Sequence, residues 1–377
     1  MRVAYFSGSF KENFDGVSNY IFKLMDFLND KKDVDKIVFS AVVPDKDVGA
    51  EVVKVDSVSL PFYKDYKMSL PTWAKVDRRL KKFKPDLIHI MSPCSLGYYA
   101  MTYAKMRRIP LVTTYHTHFA SYAKYYKVDF LKMLGWKYLK QIYNQCVKVY
   151  VPSKHVLSEL KKHKIKNLAY LPHGVDTKTF NPKHRSKKWR KKVGGEKKTI
   201  LLYVGRLVWE KDLLVLARAY NLLRKKRKDF EMVLIGDGPI KDDLIKMMPG
   251  AKFLGAKYGK DLYTAYASAD IFVFPSTTET FGLVTVEAMA SGLVPVVAEE
   301  AGSKTLVEHE VNGLLTKPRD SVDFARKVYH LLGNVKKRKS LASNALGFAK
   351  QQDWDIVFTK LLRSYKKVIA VNRSDNR

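Results

Sequence analysis

The sequence is poor in cysteine, has no long apolar run and carries comparatively few acidic residues. Only two of its 377 residues are cysteines, Cys94 and Cys146, so it cannot form a disulfide framework, and it has no Cys-x-x-Cys pair for zinc. Its apolar runs stay below the ~18 residues that a membrane-spanning helix needs. Residues 1–9 are too few and too polar for a secretory signal. These absences argue against a disulfide-rich secreted protein and an integral membrane protein, and they predict a cytoplasmic one.

Positive charge is what the sequence has in excess. With 69 Lys and Arg against 37 Asp and Glu, the formal net charge is +32. Such a balance favours anionic partners, which could be phosphates, nucleic acid or an acidic membrane surface, and composition alone does not choose among them. The excess is strong in residues 154–198, which hold 15 Lys and Arg against 3 Asp and Glu. Many of the lysines are expected to be ordinary solvated surface residues.

Short apolar runs alternate with helical patterns along the whole chain. Strand-like runs begin at Val3, Lys36, Leu87, Leu111 and Val147 and, after a break, at Thr199, Met232, Ala251, Ile271 and Val294. This alternation predicts an α/β fold with parallel sheets. The turn-rich, basic residues 173–198 interrupt it, so we predict one domain over 1–180, a second over 195–350, and a C-terminal helix over 351–370 that returns to the first. Two such halves imply a cleft between them, with ligands at the carboxyl ends of strands.

Residues 276–292 form the motif with the most chemical content. Glu279 follows a predicted strand, and Glu287 comes eight positions later on a helix that begins near Phe281. Gly282 lets the backbone approach a ligand, and the free N–H groups of the helix start suit a phosphate. A carboxylate further along can accept hydrogen bonds from two vicinal hydroxyls, such as those of a ribose. The alternative, a surface glutamate before a buried helix with a chance glutamate, fits the constrained glycine and apolar pattern less well.

The Glu-x7-Glu spacing of this motif resembles the signature of retaining glycosyltransferase family 4. Other segments agree, in the same order along nearly the whole chain, beginning at His173, Val204, Ile235 and Ala269. Within the family, the sequence is most similar to sulfoquinovosyl-diacylglycerol synthases and to lipid α-mannosyl- and α-glucosyltransferases. The segments that carry this narrower similarity are residues 83–89, 92–93 and 115–118.

The resemblance implies a GT-B architecture, in which two Rossmann-like domains with parallel sheets face a cleft and the second domain binds the donor. The donor-site residues that it implies are Gly205, Arg206, Lys211, Glu279, Phe281, Gly282, Leu283 and Glu287. Arg206 and Lys211 would hold the diphosphate of a GDP- or UDP-sugar and stabilise its departing charge, with no metal or other cofactor. Glu287 would bind the ribose and Glu279 the sugar ring, while the backbone amides of residues 281–283 would face the distal phosphate and the sugar.

The first domain offers three further candidates. Gly16 follows the first strand and places backbone N–H groups at a helix start, which suits a phosphate of the donor or a bound acceptor. His116 comes at the end of a strand, and the resemblance places it close to the transferred sugar. The predicted helix over residues 73–84 is amphipathic and basic, so it could lie on an anionic bilayer or be a packed helix with a solvated face. Its basic residues are Arg78, Arg79, Lys81 and Lys82.

Together these features predict a retaining, metal-independent hexosyltransferase. It would move mannose, glucose or a glucose derivative from a nucleotide-diphosphate sugar to a membrane lipid or a lipid-linked glycan, while attached peripherally to an anionic membrane surface. A soluble family 4 enzyme acting on a sugar or polysaccharide is the alternative. A nucleic-acid-binding protein is a remote third, because no aromatic-glycine RNA-binding segment is present and the glutamate motif would have no role there. Related mannosyltransferases often have Asp in place of His118, so the identity of the sugar is left open.

Overall fold

The computed structural model describes residues 1–12, 14–60, 63–69, 73–116 and 129–375. The chain divides into two compact units. Unit 1 comprises Met1–Pro172 and Val357–Arg377, and unit 2 comprises His173–Ile356. Among the described residues, none of the helices combines the length and the apolar composition needed to cross a membrane.

Most of the described strands are separated by helices in both units, and the strands from Asp35 to Ser69 follow one another without a helix. The strands are β1 (Arg2–Ser7), β2 (Asp35–Ser40), β3 (Glu51–Lys54), β4 (Ser57–Leu60), β5 (Tyr63–Ser69), β6 (Leu87–Ile90), β7 (Leu111–Thr114), β8 (Lys148–Val151), β9 (Leu168–Tyr170), β10 (Thr199–Val204), β11 (Phe230–Ile235), β12 (Lys252–Phe253), β13 (Ile271–Phe274), β14 (Val294–Ala298) and β15 (Leu314–Thr316).

The described helices vary in length from one turn to six. They are α1 (Gly16–Asn29), α2 (Trp73–Phe83), α3 (Ser95–Arg107), α4 (Asp129–Tyr143), α5 (Lys154–Lys162), α6 (Lys187–Lys192), α7 (Leu213–Lys226), α8 (Lys241–Met247), α9 (Gly259–Ser268), α10 (Leu283–Ala290), α11 (Ala301–Lys304), α12 (Ser321–Gly333), α13 (Val335–Lys350) and α14 (Trp354–Asp375).

Each unit is built on one parallel sheet. In unit 1 the strand order is β3-β2-β1-β6-β7-β8-β9, and β4 and β5 form a separate antiparallel hairpin. In unit 2 the order is β12-β11-β10-β13-β14-β15. The central strands are buried along almost their whole length, as β6, β11 and β13 show. Continuous apolar runs of this kind are typical of parallel strands that are covered on both faces, so the predicted α/β class with parallel sheets is confirmed.

His89 of β6 is a polar residue in the core of unit 1. Its ring nitrogens form hydrogen bonds with the hydroxyls of Tyr365 and Thr114, the latter at 2.8 Å. Burial lowers the pKa of His89 to about 3, so the imidazole is neutral at physiological pH. The bond to Tyr365 ties α14 to the sheet of unit 1 across 276 residues of sequence.

The division between the units falls earlier than the predicted boundary at residue 180, because residues 173–180 group with unit 2. The Val175 N–H donates to the carbonyl of Gln352 at 2.8 Å, and the Trp354 N–H donates to the carbonyl of Val175 at 3.3 Å. A Cβ on Gly174 would lie 2.5 Å from the Trp354 indole, so the two segments pack in direct contact. Pairing between such distant segments leaves no trace in a local apolar pattern.

Candidate active site

The loops that follow β10 and β13 carry an ion pair. These two strands are parallel neighbours in the sheet of unit 2, so their carboxyl-terminal loops lie side by side. Lys211, on a single 3-10 turn over Trp209–Lys211, forms a close ion pair with Glu279 in the second loop. The Lys211 side chain exposes 24% of its surface and that of Glu279 exposes 18%. The structure therefore brings together a predicted phosphate ligand and a predicted sugar ligand, in a partly shielded position where charges interact more strongly than in water.

Arg206 lies at the carboxyl end of β10, in a loop whose shape depends on glycine. The Gly205 N–H donates to the carbonyl of Ile235 at 3.0 Å. A Cβ on Gly236 would lie 1.8 Å from the Gly205 carbonyl oxygen, so the loops after β10 and β11 meet backbone to backbone. The Tyr203 hydroxyl donates to the carbonyl of Arg206 at 3.0 Å and so holds that peptide in place. Arg206 is exposed.

Gly282 immediately precedes α10 and forms the turn that leads into it. Its φ of +94° lies in the left-handed region that favours glycine, and a Cβ there would lie 2.7 Å from the Ser303 hydroxyl oxygen. Phe281 before it is buried, and Leu283 after it is half-buried. Because the first N–H groups of a helix have no partner within the helix, α10 offers hydrogen-bond donors directly after the loop that holds Glu279.

Glu287 lies on α10 and is mostly buried. Its carboxylate accepts a hydrogen bond from the Tyr266 hydroxyl at 3.0 Å, and Tyr266 is itself fully buried on α9. Burial raises the pKa of Glu287 to about 7, and the hydrogen bond from Tyr266 opposes that rise. At neutral pH this carboxyl group is therefore close to its point of half-ionisation, and a partner that donates hydrogen bonds to it would favour the ionised form.

Sequence reasoning did not identify three side chains that the structure adds to this part of unit 2: Asp212, Tyr266 and His173. His173 is buried, with its ring 5.4 Å from that of Phe281, and burial lowers its pKa to about 4. It lies in a segment that carries the family resemblance, so a signal existed for it. Tyr266 is 21 residues from Glu287 and Asp212 is 65 from its partner Thr277, and no local pattern links either pair.

In unit 1, His116 follows β7 by two residues and is half-buried. Its ring packs edge-on against Tyr20 of α1, with the ring centroids 4.5 Å apart. Tyr20 in turn contacts the ring of Phe358 on α14, 5.3 Å away. The structure thus places His116 at the carboxyl edge of this sheet, against the helix that Gly16 begins. His118 lies outside the described residues.

The start of α1 at Gly16 is already capped. The Asp15 carboxylate accepts hydrogen bonds from the Ser18 N–H and the Ser9 hydroxyl, both at 2.6 Å. A Cβ on Gly16 would meet no other atom within 4 Å, so packing does not demand glycine there. A carboxylate at a helix start opposes an anion at the same place. Of the two ligands predicted for Gly16, a phosphate and a bound acceptor, this arrangement favours the acceptor.

Of the two interpretations of α2, the described side chains fit a packed helix with a solvated basic face. Val76 and Leu80 are fully buried in the core of unit 1. The basic side is exposed at Arg78, Arg79, Lys81 and Lys82. Two of these residues have acidic partners, Arg79 with Glu51 at 3.3 Å and Lys81 with Asp77 at 2.6 Å. Among the described side chains of α2, the exposed basic ones would contact a membrane through electrostatic attraction.

Within the described part of the chain, no group of three or more His, Cys, Asp or Glu side chains is arranged to hold a metal ion. At the carboxyl edge of the unit 2 sheet, Arg206 and Lys211 supply cationic side chains from the loop after β10, and Arg319 supplies another from the loop after β15.

Comparison with known proteins identifies the family of this chain. Residues 14–179 match the model described as Glycosyltransferase Family 4, and residues 185–347 match the model described as Glycosyl transferases group 1. A GDP-mannose-dependent alpha-mannosyltransferase of Corynebacterium glutamicum is 33% identical over 99% of this chain and 90% of its own length. The chain belongs to glycosyltransferase family 4.

Other relatives of this family 4 glycosyltransferase agree. A sulfoquinovosyl transferase of Arabidopsis thaliana is 32% identical over 95% of this chain and 70% of its own length. The crystal structure of Anabaena HepE in complex with UDP matches with a TM-score of 0.80 at 20% identity, over 97% of this chain and 100% of that one. The glycosyltransferase has the GT-B fold that its sequence predicts, with two Rossmann-like units built on parallel sheets.

Proposed function

We propose that this glycosyltransferase transfers a hexose from a nucleotide-diphosphate sugar to a membrane lipid or a lipid-linked glycan, with retention of anomeric configuration. The observation that carries the proposal is the carboxyl edge of the unit 2 sheet. There the Lys211–Glu279 ion pair, the exposed Arg206 and the start of α10 occupy neighbouring loops. These are the groups that a sugar attached to a diphosphate requires: fixed cations, backbone donors and a carboxylate for hydroxyls.

Each group has a chemical role in this proposal. Arg206 and Lys211 bind the diphosphate and stabilise the charge that it gains as the bond to the sugar breaks. Glu279 accepts hydrogen bonds from sugar hydroxyls, and Glu287 accepts them from the ribose. The first N–H groups of α10 face the distal phosphate. In this proposal, the imidazole of His116, from unit 1, acts close to the sugar that is transferred.

We propose further that the reaction needs no metal ion, because Arg206 and Lys211 would replace Mg²⁺ in stabilising the charge of the departing diphosphate. EDTA is then expected to leave the rate of transfer unchanged. A complete loss of transfer that Mg²⁺ restores would contradict this part of the proposal, and the roles of the two carboxylates would still stand.

The names of relatives support the choice of donor and acceptor. The C. glutamicum relative is GDP-mannose-dependent, and an alpha-monoglucosyldiacylglycerol synthase of Streptococcus pneumoniae is 28% identical over 79% of this chain. We propose mannose, glucose or a glucose derivative as the sugar and GDP or UDP as the carrier. The acceptor lies at an anionic membrane surface, to which the positively charged enzyme attaches peripherally from the cytoplasm.

A ligand screen followed by a product analysis tests the proposal. The enzyme is expected to be stabilised against heat by one of GDP, UDP or ADP and their sugars, since a ligand of the native state raises its stability. With the matching radiolabelled sugar, label should appear in vesicle lipid, and NMR of the product should show the anomeric configuration of the donor. Label in a soluble glycan instead of lipid would support the soluble family 4 alternative, and no stabilisation by any nucleotide would refute both.

Two matched variants link the result to the site. Glu287→Gln is expected to weaken binding of the matching nucleotide diphosphate roughly 10-fold, about the value of one hydrogen bond to a charged group. Glu231→Gln is the control, because Glu231 is also a mostly buried carboxylate of unit 2 but lies at the amino end of β11 and pairs with Lys198 at 2.6 Å. Equal affinity in both variants would remove Glu287 from the nucleotide site.

A further inference from the structure

The loops that hold Lys211 and Glu279 are joined by a second set of contacts. These are made by Asp212, which follows Lys211, and by Thr277, which lies two positions before Glu279. The Asp212 carboxylate accepts hydrogen bonds from the Thr277 N–H at 2.9 Å and from the Thr277 hydroxyl at 2.7 Å. Arg319 adds to both residues: its guanidinium donates to the Thr277 hydroxyl oxygen at 3.1 Å and lies 3.5 Å from the Asp212 carboxylate. One carboxylate therefore connects the loop after β10 to the loop after β13.

The backbone at Asp212 shows how tightly this position is determined. Its φ is +54°, in the left-handed region that few residues other than glycine, Asn and Asp adopt readily. The turn separates the 3-10 turn that carries Lys211 from α7, which begins at Leu213. A change of backbone at residue 212 would rotate the preceding residue, and with it the lysine side chain.

On the other loop, Thr277 is a buried residue two positions before Glu279. The loop has further supports: the Thr278 hydroxyl donates to the carbonyl of Glu210 at 3.1 Å, and the Gly302 N–H donates to the carbonyl of Glu279 at 2.7 Å. Held by both backbone and side-chain contacts, Glu279 has little freedom to move away from Lys211.

We propose that Asp212 is a positioning residue for glycosyl transfer, which acts with Thr277 to hold Lys211 and Glu279 at the separation that the donor requires. The inference rests on the proposed function of that pair. Asp212 touches neither the donor nor the acceptor in this scheme. Its effect on the reaction passes through Lys211 and Glu279, and this gives it a signature in mutational data that a purely structural carboxylate does not have.

The test compares Asp212→Ala, Asp212→Asn and Thr277→Val with the wild-type enzyme. Asp212→Ala is expected to lower kcat roughly 10- to 100-fold, because a small misplacement of groups near the reacting atoms has effects of this size. Asn tolerates the same backbone conformation and its amide oxygen still accepts from Thr277, so Asp212→Asn should recover most of the rate. Thr277→Val keeps the shape of the side chain but removes the hydroxyl, which donates to Asp212 and accepts from Arg319, and a fall of roughly 3- to 10-fold is expected. If Asp212→Ala does not fold, Thr277→Val still tests the inference.

Asn334→Ala is the matched control for stability. Asn334 also accepts a hydrogen bond from a backbone N–H of unit 2, that of Lys337 at 2.8 Å, at the start of α13. Its removal should lower the melting temperature by a few degrees, as loss of a helix cap does, with kcat unchanged. If Asn334→Ala and Asp212→Ala lower kcat in proportion to their effect on melting, Asp212 is a structural residue only and the inference is overturned.

A double-mutant cycle decides whether Asp212 acts through the lysine. In a Lys211→Ala background, Asp212→Ala is expected to lower kcat less than about 3-fold, because residues that work as a unit are not additive. Full additivity would overturn the inference while leaving the proposed function intact. If Lys211→Ala and Glu279→Ala themselves leave transfer unchanged, the proposed function of the pair fails, and the positioning role fails with it.

Discussion

The two predicted binding regions of this enzyme are built in different ways. In unit 2, the loops after β10 and β13 are joined by an ion pair and by the hydrogen bonds of Asp212 with Thr277, and a close glycine contact joins the loops after β10 and β11. In unit 1, the candidates are a ring contact between His116 and Tyr20 and a helix start that Asp15 already caps. In the first region, the protein's own contacts hold charged side chains in a defined geometry. The second is formed mainly by aromatic side chains and the end of one helix.

This difference fits the chemistry expected of the two substrates. A diphosphate develops charge in the transition state, and fixed cations and dipoles stabilise it most when they need no rearrangement. A lipid or glycan acceptor offers a neutral hydroxyl and varies in the rest of its structure, so it places a weaker demand on preformed charge. We therefore expect substitutions in unit 2 to change the rate and nucleotide affinity strongly, and those in unit 1 to act on transfer alone.

The largest effect is expected at Lys211. Lys211→Ala should lower kcat roughly 10²- to 10³-fold, as removal of one transition-state-stabilising donor typically does. Lys198→Ala is the matched control, because Lys198 pairs with Glu231 at 2.6 Å but lies at the opposite end of β10. Steady-state transfer rates with both variants check the prediction. Comparable rates in the two would show that the carboxyl edge of the sheet has no special role.

A smaller and more selective effect is expected at His116. His116→Ala should lower transfer roughly 10-fold or more, in the range attributed to a positioned catalytic side chain, while calorimetry finds the nucleotide affinity unchanged. His116→Phe keeps an aromatic ring against Tyr20. If the phenylalanine variant is fully active, the histidine serves packing only. A loss of nucleotide affinity in either variant would break the proposed contrast between the units.

The raised pKa of Glu287 predicts that nucleotide affinity depends on pH. Because the pKa of Glu287 is raised from 4.5 to about 7 in the folded protein, nucleotide diphosphate affinity should rise as pH increases through about 7 and the carboxylate forms. The folded protein binds this proton more tightly than the unfolded chain, so Glu287 lowers stability as pH rises from about 4.5 to 7. Glu287→Gln should thus melt at a higher temperature than wild type at pH 8, with little difference at pH 4.5. Equal shifts at both pH values would contradict the raised pKa.

The smallest effect is expected at the basic face of α2. Replacing Arg78, Arg79, Lys81 and Lys82 by Gln should weaken binding to anionic vesicles several-fold and leave nucleotide affinity unchanged, because only electrostatic attraction is removed. The wild-type enzyme should be released by high salt, which screens exposed charges. The control carries the same change of charge at four exposed lysines of unit 2: Lys225, Lys226, Lys228 and Lys246. Equal vesicle binding by the two variants would mean that net charge, and not α2, attaches the protein.

Much of the fold was predictable because local sequence carries it. Buried parallel strands read as apolar runs, and those beginning near Val3, Thr199 and Ile271 correspond to β1, β10 and β13. The short strands β3, β9 and β15 and the polar hairpin of β4 and β5 were not predicted, because their few residues carry little apolar signal. The unit boundary was placed too late, because the pairing of Val175 with Gln352 joins segments that are distant in sequence.

The sequence by itself determined the family, the α/β class and which residue types stand at the ends of the strands of unit 2. Its glycines, its glutamate spacing and its apolar runs are local properties that can be read residue by residue. Only the tertiary structure decided that Lys211 meets Glu279 across 68 residues, that Tyr266 donates to Glu287, and that Asp212 binds Thr277. These contacts depend on strand order, since β10 lies beside β13 and not beside β12. Strand order follows from how the helices and strands pack together, and no segment of the chain encodes it alone.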